Sequence, residues 1–272
     1  MAISIEPLTP AIGAVIAGVD LAQPVDDDTF HAVEAAMLTH QVVFLRDQAV
    51  TEQQQRDFAA RFGPLHIHPI YPRSDSVPEI MLLDTALNDL RDNALWHSDV
   101  SFLETPSLGA VLLARKLPPL GGDTLWASAT AAYDALPDTL KAYLGTLSAI
   151  HDLAKSFPAE RFESDALAAA KRNNPPVVHP VIRTHPVTGK KAIFVSEGFT
   201  TGIVGMDPTL ADPLLAMLYT HVTRPEFTVR WKWRVGDVAI WDNRVTQHYA
   251  TYDYGNAHRV MNRATMMGDK PF

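Results

Sequence analysis

Trp96-His97-Ser98-Asp99-Val100-Ser101-Phe102 is the stretch on which the reading of this chain turns. In an extended segment alternate side chains share a face, so His97 and Asp99 would stand side by side and could both reach one ion. His97-Ser98-Asp99 is the only His-x-Asp triplet here. With 11 His and 22 Asp in 272 residues, roughly one such triplet arises by chance, so it gains weight only from its company. A third ligand must come from another strand, and His248, in the run Trp241-Asp242-Asn243-Arg244-Val245-Thr246-Gln247-His248, is the candidate. Two neutral imidazoles and one carboxylate form a facial triad that leaves three positions open on a ferrous ion. The same donors accept zinc or manganese, so geometry and open positions, not affinity, choose the metal.

Further along, Ala257-His258-Arg259-Val260-Met261-Asn262-Arg263-Ala264-Thr265 reads as a strand with Arg259, Arg263 and Thr265 on one face. Two guanidinium groups on one face repel unless anions lie before them, and guanidinium suits bidentate recognition of carboxylate or sulfonate. The plainer alternatives are an exposed edge strand, or an Arg263 that caps an acidic side chain. His66 and His68 form a competing histidine pair, but no carboxylate or third histidine stands at useful spacing, and His66 reads as structural.

The length of 272 residues is that of one substantial core, and no linker, repeat or low-complexity run divides 1–272, so one domain is expected. The net charge of -8 argues against a nucleic-acid surface, which needs clustered Lys and Arg. There is no cysteine, which excludes disulfides and thiolate metal sites and fits a cytoplasmic protein. No signal-like start or long apolar run points to a membrane.

Acidic residues Asp26, Asp27 and Asp28 suit the start of a helix running toward His40, and Thr51 with Gln54 forms a capping box for a second helix closing near Gly63. From Met81 onward short β-rich runs dominate: 81–84, 96–102, 110–115, 124–127, 177–184, 192–195, 227–233, 237–241 and 259–266. Helices are expected near 129–136, 138–147 and 208–223. Many short strands with a metal site at their mouth suit a mainly β jelly roll with flanking helices. Trp126, Trp231, Trp233 and Trp241 read as core.

Several collinear motifs support this picture: Phe62-Gly63-Pro64-Leu65-His66-Ile67-His68-Pro69-Ile70-Tyr71-Pro72, the stretch from Trp96 to Phe102, Gly121-Gly122-Asp123-Thr124-Leu125-Trp126, Arg183-Thr184-His185-Pro186, Glu197-Gly198-Phe199-Thr200-Thr201 and Trp241 through His248. From about residue 5 to Phe272 the chain resembles the taurine dioxygenase group of Fe(II)/2-oxoglutarate-dependent oxygenases. The resemblance implies a double-stranded β-helix, with His97, Asp99 and His248 as iron ligands. It implies Arg259 and Thr124 on the distal carboxylate of 2-oxoglutarate, and Arg263 on the anion of the substrate. It places His68 near a sulfonate, Tyr71 and Asn93 toward an amine, and Phe157 and Phe199 as apolar walls. The implied reaction consumes O2 and 2-oxoglutarate and releases sulfite and an aldehyde from taurine or a related sulfonate. An alkyl sulfate ester or an aryloxyacetate is the alternative substrate, and a non-catalytic jelly-roll binding protein the remote one. Relatives of this kind form homodimers or tetramers. Ser98, Gly202 and Asn262 depart from the family pattern, where Thr, a basic residue and His are common.

Overall fold

The structure, a computed structural model, describes residues 3–68, 71–157 and 165–272. Pro69, Ile70, Pro158 and the first part of the alanine-rich stretch after it lie outside the described residues.

The backbone of the fold is a large sheet in the order Ser4–Pro7, Ala14–Ala17, Val42–Leu45, Val238–Asp242, Ser107–Lys116, Val260–Met267 and Leu65–His66, with Ile80–Asp84 also paired to Val260–Met267. Its central strands are apolar on both faces, and their period of two sends neighbouring residues into different cores. Val43, Leu45, Val111, Leu113, Val238, Ile240 and Ala264 pack beneath the helices Asp27–His40 and Glu52–Ala60, against Phe30, Val33, Met37 and Phe58. Phe44, Leu112, Trp241 and Met261 point the other way, toward a three-stranded sheet of Thr228–Trp231, Thr124–Ser128 and Thr246–Ala250.

That second face is an aromatic core. Phe44 stacks on Trp231 with ring centres 4.0 Å apart, and Trp126 lies 5.4 Å from Phe44 and 5.8 Å from Trp241. Rings of this size each remove about 150–250 Å² from water, a gross gain of about 4–6 kcal/mol apiece. The four tryptophans expected in the core are buried. Two sheets facing each other across this layer, with helices outside, make the jelly roll expected from the sequence.

Both N-terminal helices begin as expected: Asp26 accepts from the Thr29 amide, and Thr51 and Gln54 form the reciprocal box. Three differences matter. The run 96–102 is not a strand; His97 makes only an isolated bridge to His248, and the chain turns at Asp99 and Val100. The run 177–184 divides at Val181 into Val177–Pro180 and Ile182–Thr184. A helix, Asp165–Asn173, and short strands such as Ser148–His151 and Thr200–Ile203 carry too little periodicity to be anticipated. Among the described residues no helix is long and apolar enough to cross a membrane.

Candidate active site

Three chain segments are tied together at the mouth of the two sheets. The amide of His97 donates to the His248 carbonyl (3.1 Å), and the His248 amide donates back to the His97 carbonyl (2.8 Å). Ser98 Oγ donates to the Thr246 carbonyl at 2.7 Å. Asn243 holds the next residue from both sides: its Oδ1 accepts from the Asp99 amide (2.8 Å) and its Nδ2 donates to the Asp99 carbonyl (3.1 Å). Asp242, in turn, accepts from Arg244 through both carboxylate oxygens and from His185 Nε2 at 2.9 Å, which fixes the turn before Thr246–Ala250. Sequence reasoning missed this role of Asn243 and His185; the Trp241-to-His248 and Arg183-to-Pro186 motifs that contain them were the only signals.

The result is that His97, Asp99 and His248 each offer a ligand atom within 4.8 Å of the others, and all three are buried. Nε2 of His97 and of His248 lie 3.7 and 3.5 Å from Asp99 Oδ1. Nδ1 of His97 sits 2.7 Å from the Leu95 carbonyl, which only accepts, so the proton is on Nδ1 and the Nε2 lone pair faces the cluster. Burial holds both imidazoles below their usual pKa and therefore neutral, as metal ligands must be. Burial alone would raise Asp99, but the Arg263 guanidinium beside it holds its carboxyl well below the usual carboxylate range. Two neutral imidazoles and one ionised carboxylate suit a divalent ion such as Fe(II).

The carboxylate is not arranged as the sequence suggested. His97 and Asp99 converge because the chain turns, with Val100 at φ +46°, a conformation costly for a β-branched residue and so held by its surroundings. Arg263 follows the plainer alternative raised by the sequence, in that it pairs with an acidic side chain. It places Nη2 2.5 Å from Asp99 Oδ2 while Nε donates to Thr265 Oγ1 at 3.1 Å.

Gly198 fits tightly behind the first histidine. A Cβ there would lie 2.8 Å from the His97 Cβ, closer than such atoms approach, and neither is the end of a flexible chain. Gly198→Ala should therefore push His97 aside and weaken metal binding about tenfold or more, the scale on which ligand orientation matters. Calorimetric titration with Mn(II) checks this; unchanged affinity would show that the ligand does not depend on that contact.

Two cavities adjoin the cluster, and together they contain every other residue expected to bind co-substrate or substrate. One is lined by His68, Tyr71, Asn93, Phe157, Phe199 and Arg263, with His97 and Asp99 in its wall. Asp92, Val100, Phe102, Ser156, Thr265 and His66 line it too. The other is lined by Thr124, Arg259 and His248 together with Leu83, Leu112, Tyr252 and Tyr254. Asn93 and Arg263 line both. Arg259 precedes its strand, which begins at Val260, rather than lying within it.

Arg259 is only 4% exposed. Its Nη2 donates to the Gly122 carbonyl at 3.3 Å, Nε has no partner, and no carboxylate pairs with it among the described residues. A buried guanidinium in that state is a vacancy for an anion. The donor set at the triad and this unmatched cation beside it are what a ferrous ion and a dicarboxylate co-substrate require.

The sequence model of the family described as taurine catabolism dioxygenase TauD, TfdA family, matches residues 4–265. The chain belongs to the TauD/TfdA family. It is a non-haem iron, 2-oxoglutarate-dependent dioxygenase. It is 37% identical to an alpha-ketoglutarate-dependent sulfate ester dioxygenase of Pseudomonas putida, over 99% of this chain and 91% of that protein. A crystal structure of a taurine dioxygenase from Burkholderia xenovorans superposes with a TM-score of 0.86 at 36% identity, covering 100% of this chain and 91% of that one. The crystal structure of AAD-2 in complex with Mn(II) and N-oxalylglycine gives a TM-score of 0.86 at 33% identity, over 100% of this chain and 99% of that one. These relatives share the fold, while one is named for sulfate esters and another for taurine.

Proposed function

We propose that this dioxygenase oxidises taurine, or a closely related small aminosulfonate, at the carbon bearing sulfur. Taurine, 2-oxoglutarate and O2 would give sulfite, aminoacetaldehyde, succinate and CO2. The observation that carries this reading is Asp92, a buried carboxylate that lines the same cavity as Arg263. Asp92 is 8% exposed and accepts a short hydrogen bond from the Tyr71 hydroxyl, and Asn93 Nδ2 donates to Tyr71 Oη (3.1 Å) and to Asp92 Oδ1 (3.2 Å). No cation pairs with it among the described residues. A buried carboxylate without a counter-charge is costly, and an ammonium group is the ligand that offsets the cost.

Arg263, in the wall of the same cavity, supplies the positive charge. Burial, then His66 and Arg263, lower the pKa of His68 to about 3, so His68 is neutral and can contribute hydrogen bonding but not charge. Guanidinium carries five N–H donors, so Arg263 can keep one on Asp99 and offer others to a sulfonate. Phe157 and Phe199 wall the space between and exclude water from the reacting carbon. In this reading His97, Asp99 and His248 hold Fe(II), and Arg259 with Thr124 binds the distal carboxylate of 2-oxoglutarate. The iron, with 2-oxoglutarate and O2, supplies the oxidising power; the chain supplies position, charge and dryness. The departures from the family pattern leave these contacts alone: Ser98 bonds the Thr246 carbonyl, Asn262 donates to Glu52, and a Cβ at Gly202 would meet open space.

A sulfate ester, the substrate class of the Pseudomonas putida relative, would satisfy Arg263 but leave Asp92 facing an alkyl chain. The pH dependence separates the two. Burial raises the Asp92 pKa to about 6, the Tyr71 hydrogen bond offsetting part of the rise. Below that pH Asp92 takes up a proton and no longer attracts an ammonium. The KM for taurine should then climb, approaching about tenfold per pH unit, while that for pentanesulfonate, which has no amine, should not. Parallel profiles for the two would overturn the aminosulfonate reading.

A further inference from the structure

We propose that Trp233 is a positioning residue for the co-substrate, its indole N–H turning the Thr124 hydroxyl into a fixed donor aimed into the Arg259 cavity. Thr124 opens the strand Thr124–Ser128, and Trp233 lies just past the end of Thr228–Trp231, the neighbouring strand of the same sheet. Both side chains are buried, and Trp233 Nε1 donates to Thr124 Oγ1 at 3.0 Å. An indole N–H can only donate, whereas a hydroxyl has one proton and two lone pairs. Having accepted from Trp233, Thr124 must send its own proton elsewhere, and among the described residues it has no acceptor.

The remaining direction is the cavity that Thr124 lines with Arg259. A hydroxyl free to rotate would present a lone pair to an incoming carboxylate for much of the time; one that already accepts from Trp233 has one lone pair tied down, which favours the orientation that presents its proton. Trp233 does not line that cavity, and its ring is held by packing against Trp126, 6.2 Å away between centres. It acts through Thr124 and touches no ligand itself. The Arg259 side has the same character: Nη2 is spent on the Gly122 carbonyl and Nε is left without a partner. The two sides together form a carboxylate receptor whose donors are oriented before the ligand arrives, which spares it their ordering cost.

The proposal rests on the reading of this cavity as the site of the distal carboxylate, and the test separates the two. Binding to the Mn(II)-loaded protein is measured by calorimetry for 2-oxoglutarate and for 2-oxobutyrate, which has the same chelating end but no distal carboxylate. Trp233→Phe should weaken 2-oxoglutarate by about 5- to 10-fold, the worth of one well-made hydrogen bond, and leave 2-oxobutyrate unchanged. Thr124→Val should cost at least as much, and adding Trp233→Phe to it should cost nothing more. Trp233→Met gives the same comparison should the Phe variant not fold. Equal weakening of both ligands, additive losses in the double variant, or no loss in Trp233→Phe would overturn the positioning role. If Thr124→Val and Arg259→Ala themselves failed to discriminate the two ligands, the co-substrate reading of the cavity would fall instead.

Discussion

Asp99→Ala should abolish succinate formation and weaken metal binding by ~100-fold or more, since even the outer partners of metal ligands are commonly worth 10–100-fold. The substitution does two things at once. It leaves two imidazoles, His97 and His248, as the whole donor set. It also strips Arg263 of the carboxylate 2.5 Å from its Nη2, in a place where the guanidinium is almost fully buried. Breaking a buried ion pair by removing one partner typically costs ~3–5 kcal/mol, so the metal-free variant should also unfold at markedly lower urea. Succinate assay, Mn(II) calorimetry and urea melts of the metal-free protein test the three parts separately. Retained turnover would remove Asp99 from the ligand set, and an unchanged urea midpoint would show that its pairing with Arg263 carries little stability.

Asp92→Asn should lower kcat/KM for taurine about 30- to 150-fold and leave pentanesulfonate unaffected or improved. The change keeps the shape of the side chain and an oxygen to accept from Tyr71, and removes only the charge. A charge-assisted hydrogen bond contributes about 2–3 kcal/mol, and each 1.4 kcal/mol is about tenfold. The variant should also lose the rise in taurine KM below about pH 6, because the group that titrates there is gone. An equal fall for both substrates would mean that Asp92 holds up the cavity wall through Tyr71 and does not meet the ligand.

Asp92 also shows where sequence reading stops. Its neighbour Asn93 stood out through family resemblance, whereas an aspartate in Asn88-Asp89-Leu90-Arg91-Asp92 looks like one more solvated loop charge. Only the fold reveals that Asp89 pairs with Arg91 near the surface while Asp92 points inward to Tyr71. The same limit applies at the metal cluster. The residues were legible, but the reason for their convergence was not, because the turn at Asp99 and Val100 has no Gly or Pro to announce it. The clamp of Asn243 on Asp99 joins residues 144 apart, a contact that no local pattern encodes. Where periodicity is strong the sequence sufficed. The two-sided apolar strands Ser107–Lys116 and Val238–Asp242 were expected, as 110–115 and 237–241, because each must fill a core on both faces. Leu65–His66, only two residues long, exists because Val260–Met267 offers it an edge, which is a property of the assembled sheet.

The most direct test of the account is sulfite release by iron-loaded protein supplied with 2-oxoglutarate and O2, comparing taurine with pentanesulfonate, an alkyl sulfate and an aryloxyacetate. The cavity lined by both Arg263 and Asp92 predicts that taurine gives sulfite with the highest kcat/KM, and only when iron, 2-oxoglutarate and O2 are all present. Faster 2-oxoglutarate consumption with the alkyl sulfate or the aryloxyacetate, and little sulfite from taurine, would contradict it.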